Sequence, residues 1–430
     1  MKAKSKFHYG WVIMVGCFIL LLYAMGLVMV TFSVFIPSLA QQFGLNRTQS
    51  SSLMTIQSVL SIVVMMCAGK IYKKYSVRLF SFIFGLFGVL GYVIYAYSNV
   101  IWMCYLGSAA LGIAQGGATM IPVSILLTKW FAQKRGLALG IATAGSGVAP
   151  MIFSPIIGRH LQTSGTSSAF LLVAGIIAVM AVLVVLILRD KPADMGLTPY
   201  GADGSAAPGS QAPGGMQGPP PGLTLADARK NFCFYVLIAG CFLLGMTFVS
   251  TNNHYVAYLV STGFDPALAA IGFSIMGAAG LIVKPMHGVL ADKMGTARSN
   301  VLFYILWIVA QAFAVWATGS MYRADTFAIL IAAGSGLGAI AMPLWISDIF
   351  GYRDYGQIYS FMMTCYQVGI TLGLMLFGIV ADISGSYMNS YLLNAVFSVL
   401  SLVFVQAAYR MGAGLKKAAP PILAKTIQDS

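Results

Sequence analysis

The 430-residue chain alternates long apolar runs with short polar segments. Each run is roughly 20 residues long or longer, which suits an α-helix that crosses the hydrocarbon core of a bilayer. The first run is too long for the apolar region of a cleaved signal peptide, so we count it as a membrane span. The pattern predicts twelve spans, at 11–39, 48–69, 79–97, 100–127, 136–158, 168–188, 231–258, 266–288, 300–318, 326–347, 357–381 and 388–409.

The composition agrees with an all-α membrane protein. Hydrophobic residues make up 59% of the chain and charged residues 8%, whereas soluble proteins carry about 25% charged residues. All lysines and arginines except Arg47, Arg159, Arg323 and Lys284 lie on one side of the membrane if both termini are cytoplasmic. This asymmetry follows the positive-inside rule and predicts cytoplasmic termini. The net charge of +14 thus reflects orientation and contact with anionic membrane lipids, and we expect no nucleic-acid partner.

The sequence shows no arrangement of residues that is typical of an enzyme active site. The six cysteines lie in or beside apolar spans and form no CxxC pair, so neither a zinc site nor a redox motif is predicted. No nucleophile stands in a recognisable arrangement with a base. We therefore expect translocation rather than catalysis, with no cofactor and no metal.

A hydrophilic segment at 189–230 divides the chain. Its run of Gly, Pro, Ala, Ser and Gln predicts a flexible cytoplasmic linker. Six spans lie on each side, so we predict an N-terminal six-helix bundle (1–188), a C-terminal six-helix bundle (231–410) and a cytoplasmic tail (411–430). Two repeated halves with a substrate site near the membrane midplane form a recurrent transporter plan.

Lys284 is the only lysine or arginine within a predicted span. An ionisable group inside a membrane is costly and marks a functional site by default. The chain has no glutamate, and none of its 11 aspartates falls in the same span. The sequence therefore predicts that an anionic substrate balances this charge. The alternative is a lysine that reaches along its stem to the cytoplasmic headgroups.

The loop after the eighth span carries a family signature. It resembles the major facilitator superfamily motif G-x-x-x-D-[RK]-x-G-x-x-[RK], with Gly288, Asp292, Lys293, Gly295 and Arg298 in register. The first-half copy departs from the motif, because Lys73 stands where the aspartate belongs. The resemblance implies the major facilitator fold, with twelve transmembrane helices in two six-helix bundles, and a gating role for these five residues.

Further segments are similar to one branch of that superfamily, the monocarboxylate porters and oxalate–formate exchangers. They include Tyr9-Gly-Trp-Val near the start and Lys284-Pro-Met-His-Gly288. The branch implies that the cation before the proline binds the substrate carboxylate, although the family usually has arginine there, which offers a planar fork rather than a point charge. Oxalate exchangers use a second cation in the eleventh span, which has none here. A monoanion is therefore the more economical substrate.

Other polar groups complete the predicted site. The resemblance places a histidine beside the substrate, and imidazole titrates near neutral pH, so we predict that His254, with Asn253, orients the anion or carries a proton. The alternative is packing and interhelical hydrogen bonding. The remaining predicted site residues lie far from the interfacial belts, and Met120 stands where relatives often carry an aromatic hydroxyl. They are Tyr23, Gln57, Met120, Trp345, Tyr366 and Gln367.

The sequence thus predicts a secondary active transporter of a small organic anion, above all a monocarboxylate, in a bacterial-type inner membrane. It would work by alternating access, coupled to proton symport or anion exchange, and we expect a monomer to suffice. One alternative is a proton-driven exporter of amphiphilic compounds, which commonly relies on a buried acid. The other is a non-transporting membrane sensor, which a large appended soluble domain would have supported.

Overall fold

The computed structural model describes residues 8–45, 47–202, 222–264 and 266–418. Helices dominate these ranges, and no β-strand forms within them. Only helices and closed barrels satisfy all backbone polar groups inside lipid. Twelve helical stretches in the described ranges are long and apolar enough to cross a membrane, so the predicted all-α membrane class is confirmed. They are Gly10–Val30, Ser52–Lys74, Val77–Ala96, Ile101–Trp130, Arg135–Ser164, Thr166–Ile187, Phe232–Asn253, Ile271–Met294, Thr296–Trp316, Met321–Phe350, Tyr355–Ser384 and Tyr387–Gly412.

The first of two compact units holds the described residues up to Phe131 together with Ile141–Tyr200. A left-handed glycine, Gly165, with φ 82°, separates the fifth and sixth spans inside one long helix. The elements are α1 (Gly10–Leu21), a π-helix (Leu22–Val30), a 3-10 turn (Thr31–Phe35), α2 (Ile36–Phe43), α3 (Arg47–Lys74), α4 (Val77–Ala96), α5 (Ile101–Gly117), α6 (Met120–Trp130), α7 (Arg135–Ile187) and a 3-10 turn (Pro192–Met195).

The second unit holds Ala132–Gly140 and the described residues from Gly201 onward, so the first residues of α7 belong to it. Its last helix extends past the predicted start of the tail. The elements are α8 (Leu225–Lys230), α9 (Phe232–Asn253), α10 (Tyr255–Ser261), α11 (Pro266–Met294), α12 (Thr296–Phe313), a 3-10 turn (Ala314–Trp316), α13 (Met321–Ala332), a π-helix (Leu337–Ala341), α14 (Met342–Phe350), α15 (Tyr355–Ser384) and α16 (Tyr387–Ala418).

Glycines bring neighbouring helices into backbone contact. In the first unit, a Cβ atom on Gly112 of α5 would come within 2.5 Å of the Gln57 carbonyl oxygen on α3. In the second unit, a Cβ on Gly245 of α9 would overlap the Tyr366 carbonyl oxygen on α15. Small residues at such crossings allow the close van der Waals packing that holds membrane helices together.

Both ends of the predicted linker are held by their own unit. The Tyr200 backbone N–H donates to the Trp130 carbonyl, at 2.8 Å, in the first unit. The Leu223 N–H donates to the Phe350 carbonyl, at 2.9 Å, in the second. The flexible linker is predicted over 189–230, but a 3-10 turn (Pro192–Met195) and α8 (Leu225–Lys230) form at its two ends. Its middle, 203–221, lies outside the described residues, as do the tail residues 419–430.

Candidate functional site

Regular α-helix is interrupted within the first, fourth and tenth spans and at the end of the seventh. The first span passes into the π-helix Leu22–Val30. Ala118 and Thr119 separate α5 from α6 in the fourth span, and His254 separates α9 from α10 in the seventh. The tenth span breaks after α13 and contains the π-helix Leu337–Ala341. Over the ranges the structure describes, the other spans keep α-helix through their middle.

Interrupted helices are a feature of transporter sites. Non-helical backbone is tolerated at membrane depth where it is buried in protein or lines a water-filled cavity, and substrate sites in transporters are typically formed by discontinuous helices. Four of the residues singled out by the sequence lie at these breaks. They are Tyr23 in the first π-helix, Met120 at the start of α6, His254 in the seventh span and Trp345 after the second π-helix.

In the first unit, the predicted site side chains form interhelical hydrogen bonds. The Tyr23 hydroxyl donates to the Ser81 carbonyl, at 3.2 Å. The Gln57 Nε2 donates to the Val28 carbonyl, at 3.0 Å, and to Gln115 Oε1, also at 3.0 Å. Val28 belongs to the π-helix, so Gln57 stabilises the interruption by binding one of its carbonyls. In this conformation the Tyr23 hydroxyl and the Gln57 amide therefore donate to groups of the first unit itself.

His254 of the second unit is held at the break of the seventh span. Its Nδ1 lies 2.9 Å from the Ser250 carbonyl. A carbonyl only accepts, so Nδ1 carries the hydrogen, and Nε2 is the acceptor nitrogen of the neutral ring. The half-buried ring stacks on Phe377, with centroids 4.5 Å apart. Asn253 is exposed, whereas the Asn252 amide donates to the Phe248 carbonyl, at 2.6 Å.

Lys284 lies on α11 in the second unit and is half-buried. Its backbone faces the start of α7, where a Cβ on Gly140 would come within 2.8 Å of the Lys284 carbonyl oxygen. Pro285 follows inside the helix and has no N–H to donate to the carbonyl four residues earlier. The predicted cation therefore sits where α11 has lost one of its own hydrogen bonds.

The tenth-span break gathers aromatic residues of the predicted site. Trp345 is fully buried, and its Nε1 has no hydrogen-bond partner within the described part of the chain. The Tyr366 hydroxyl lies against the π-helix, since a Cβ on Gly338 would come within 2.7 Å of it. Gln367, next to Tyr366 on α15, is also buried.

The structure reveals a second buried cation, Arg135, that the span count missed because it stands at the edge of an apolar run. Its side chain is only 7% exposed. Its Nη2 donates to the Tyr355 hydroxyl, at 3.2 Å, and the guanidinium lies over the Tyr355 ring. Two further buried groups, His287 and Asn300, were not recognisable from the sequence, because a polar residue in an apolar helix does not show whether its side chain is buried against other helices.

The signature loop caps a helix. The Asp292 carboxylate accepts from the backbone N–H of Gly136, at 2.8 Å, and of Leu137, at 2.9 Å. These N–H groups belong to the first turn of α7, where anions are favourable. Gly288 packs so closely on the Gly136 backbone that neither could carry a side chain. Gly295, with φ 85°, forms the turn before α12, and Lys293 and Arg298 are exposed.

Twelve membrane-length helices, three of them interrupted within the span and one at its end, define a polytopic membrane transporter. The chain belongs to the Major Facilitator Superfamily, whose sequence profile matches residues 14–345. The predicted superfamily and fold are confirmed. The exporter and sensor alternatives share this fold and are not separated by it.

Curated relatives include members of the predicted branch. Monocarboxylate transporter 13 of Rattus norvegicus is 24% identical over 326 residues, which cover 73% of this chain and 69% of that protein. The oxalate:formate antiporter of Oxalobacter formigenes is 25% identical over 322 residues, covering 73% and 70%. Among solved structures, the proton:xylose symporter XylE bound to 6-bromo-6-deoxy-D-glucose matches with a TM-score of 0.72 at 15% identity, covering 93% of this chain and 96% of that one. That likeness shows the fold alone.

Proposed function

We propose that this protein is a secondary active transporter of a small organic anion, specifically a monocarboxylate, in a bacterial-type inner membrane with both termini cytoplasmic. The observation that carries the proposal is Lys284, a half-buried cation inside a membrane-length helix. Ionisable residues in such positions mark substrate and ion pathways. The printed names of the relatives, a monocarboxylate transporter and an oxalate:formate antiporter, favour a carboxylate as the anion.

The second unit supplies the groups that would hold the carboxylate. Lys284 provides the charge, and a protonated His254 would offer its Nε2–H, because Ser250 engages its other ring nitrogen. Trp345 contributes an unused indole N–H and Tyr366 a hydroxyl. Asn253 and Gln367 lie beside these groups in the chain of the same unit, and Tyr23, Gln57 and Met120 are the candidate binding residues of the first unit. A site lined by rings, with a few polar groups to fix orientation, suits a small acid that carries an apolar tail.

Charge counting supports a monoanion. The eleventh span has no lysine or arginine. The second buried cation, Arg135, is engaged by the Tyr355 hydroxyl and ring. Lys284, inside the eighth span, is the cation that we assign to the substrate, and one positive charge balances one carboxylate.

The test is uptake of radiolabelled lactate, acetate, formate and oxalate into proteoliposomes. Lys284→Ala should lower uptake of the transported acid at least tenfold, since loss of a hydrogen bond to a charged group costs about 1.5–3 kcal/mol. Lys284→Arg should retain part of the activity. The matched control is Lys230→Ala, because Lys230 is a lysine of the same unit whose side chain is 79% exposed.

Two results would count against the proposal. Full uptake by Lys284→Ala would show that the lysine reaches the headgroups instead of binding substrate. Preference for oxalate over every monocarboxylate would overturn the charge argument. Uptake measured with a pH gradient or with internal counter-anion separates proton symport from exchange.

A further inference from the structure

His287 lies on α11, one helical turn after Lys284. Its side chain is fully buried, and its ring stacks on Phe303 of α12 with centroids 3.8 Å apart and planes 14° from parallel. Over the ranges that the structure describes, neither ring nitrogen has a hydrogen-bond partner. The imidazole is therefore well packed on its faces and unsatisfied at its polar edge.

Asn300 on α12 is in the same situation. It is fully buried, and neither its amide nitrogen nor its amide oxygen has a partner among the described residues. It neighbours the His287 ring, but the two side chains do not meet hydrogen-bond geometry. The large majority of buried polar side-chain atoms are hydrogen-bonded, so these two residues on adjacent helices call for a further group. A water molecule is small enough to supply it.

The cover of this site is the interrupted backbone of the tenth span. A Cβ on Gly336 would overlap His287 Nδ1, so the Gly336 backbone lies directly on the imidazole edge. Gly336 lies between the turn that ends α13 and the π-helix Leu337–Ala341. Irregular segments of this kind open at a lower free-energy cost than a regular helix. Access of water to His287 therefore depends on how this segment is placed.

Few charges approach the imidazole in the part of the chain that the structure describes. The elements packed against it carry Lys284, Asp292 and Lys293 on α11, Arg298 and Tyr304 on α12, and Tyr322, Arg323 and Asp325 in the first turns of α13, which begins at Met321. The segment between Ala332 and Met342 has no titratable group. Asp292 and Arg298 are exposed, and the Tyr304 hydroxyl pairs with Ser401 Oγ at 2.8 Å. Lys284 is thus the ionisable group nearest in sequence, and an anion bound to it lies within reach of His287.

We propose that His287 is the coupling-proton site of the carrier, covered by the Gly336 segment and paired with Asn300. This inference rests on the proposed transport of a monocarboxylate. While the segment covers the ring, the imidazole stays neutral, because an unpaired buried charge is strongly unfavourable. When the segment moves and admits water, the ring takes up one proton from that side of the membrane. The proton is released to water on the other side, so each monoanion crosses with one proton.

A bound anion and this proton stabilise each other. Residues three apart on a helix lie about 5–6 Å apart at their Cβ atoms. An anion held by Lys284 therefore lies close enough to favour the protonated imidazole by Coulomb attraction. Substrate and proton thus favour each other's binding in the native protein.

Two transport assays on His287→Gln separate coupling from binding. Glutamine keeps hydrogen-bonding atoms near Asn300 but cannot titrate. Counterflow of labelled lactate at equal pH needs no net proton movement, whereas uptake driven by acid on the side of the label does. We expect His287→Gln to retain counterflow and to lose stimulation by the pH gradient. The matched control, His160→Gln, changes a histidine that bonds Ser168 and should keep that stimulation.

If the pH gradient stimulates lactate uptake by His287→Gln as much as by the native protein, the inference is overturned. Loss of counterflow in a folded His287→Gln variant would also overturn it, because it would mean that His287 has a packing role. If the native protein moves none of the four acids, the proposed function fails instead. Histidine Cε1 NMR in nanodiscs then still tests the site, because the chain has only 4 histidines and His287→Gln assigns its signal. A His287 signal that stays that of the neutral ring down to the lowest pH at which the protein remains folded refutes the proton site.

Discussion

Replacing Asp292 with alanine removes both acceptors from the first turn of α7. In the native chain the two oxygens bind the N–H groups of Gly136 and Leu137, at 2.8 and 2.9 Å. Hydrogen bonds to charged groups are worth about 1.5–3 kcal/mol each when buried. Here the Leu137 bond is exposed and the Gly136 bond only partly buried. Water therefore replaces much of what is lost, and the cost should resemble that of a helix N-cap, about 1–2 kcal/mol.

That loss lowers the ratio of folded to unfolded protein by a factor of about 5–30. The measurement is reversible unfolding by SDS in mixed micelles, followed by circular dichroism. Asp292→Asn keeps one acceptor oxygen but no charge and should fall between the native protein and Asp292→Ala. The control is Asp382→Ala, which removes an exposed aspartate near the end of α15. If Asp292→Ala unfolds at the same SDS fraction as Asp382→Ala, the capping argument is refuted.

Two smaller predictions use local geometry. Gly245→Ala should destabilise the second unit by about 1–3 kcal/mol by forcing α9 away from the Tyr366 carbonyl. In the same unfolding assay, Gly378→Ala, a helix position whose Cβ would meet nothing within 4 Å, should instead stabilise by about 0.4–1 kcal/mol. The hydrogen bond from the Thr224 hydroxyl lowers the pKa of the Asp227 carboxyl. The stability that this hydrogen bond contributes to the fold is therefore complete above the unfolded pKa of about 3.9 and is lost as pH falls through the lower folded value. Thr224→Ala should raise the Asp227 pKa measured by carboxyl NMR; an unchanged pKa contradicts this.

The twelve spans were predictable because hydropathy over roughly 20 residues is a strong signal. Their ends were less certain, because charged residues can extend a helix beyond the apolar run. The structure begins a helix at Arg135 and continues the last one to Ala418. The Arg135 side chain then becomes buried beside Tyr355.

Two of the four helix breaks carried a signal in the sequence. Gly116-Gly117 directly precede the interruption of the fourth span, and Gly334-Ser-Gly-Leu-Gly338 lie within that of the tenth. Pro122 and Pro343 fall in the first turn of the helix that follows. Proline is tolerated in a first turn because its missing N–H is not needed there. The π-helix Leu22–Val30 has no comparable mark, since its sequence is as apolar as the regular helix before it.

Some site residues could likewise be recognised from the sequence, whereas the surroundings of others are shown only by the fold. Lys284 stood out because a charge in an apolar helix is rare on any background. Gln57 was also visible, yet only the fold shows that its amide already binds Val28 and Gln115. His287 is close to Lys284 in the sequence, but the burial of its ring, with both nitrogens unsatisfied, depends on Phe303 of α12 and on Gly336 of the tenth span.

The sequence by itself determined the class of protein, the number of spans and the family, because each follows from local composition or from a contiguous motif. In lipid, every span must be apolar and must satisfy the hydrogen bonds of its own backbone, and a single helix can meet both requirements by itself. The tertiary structure alone decided which helices are interrupted, which donors are used within a bundle, and which buried groups remain unsatisfied. Those properties depend on contacts between residues far apart in the chain, such as Asp292 with Gly136, and no local pattern encodes them.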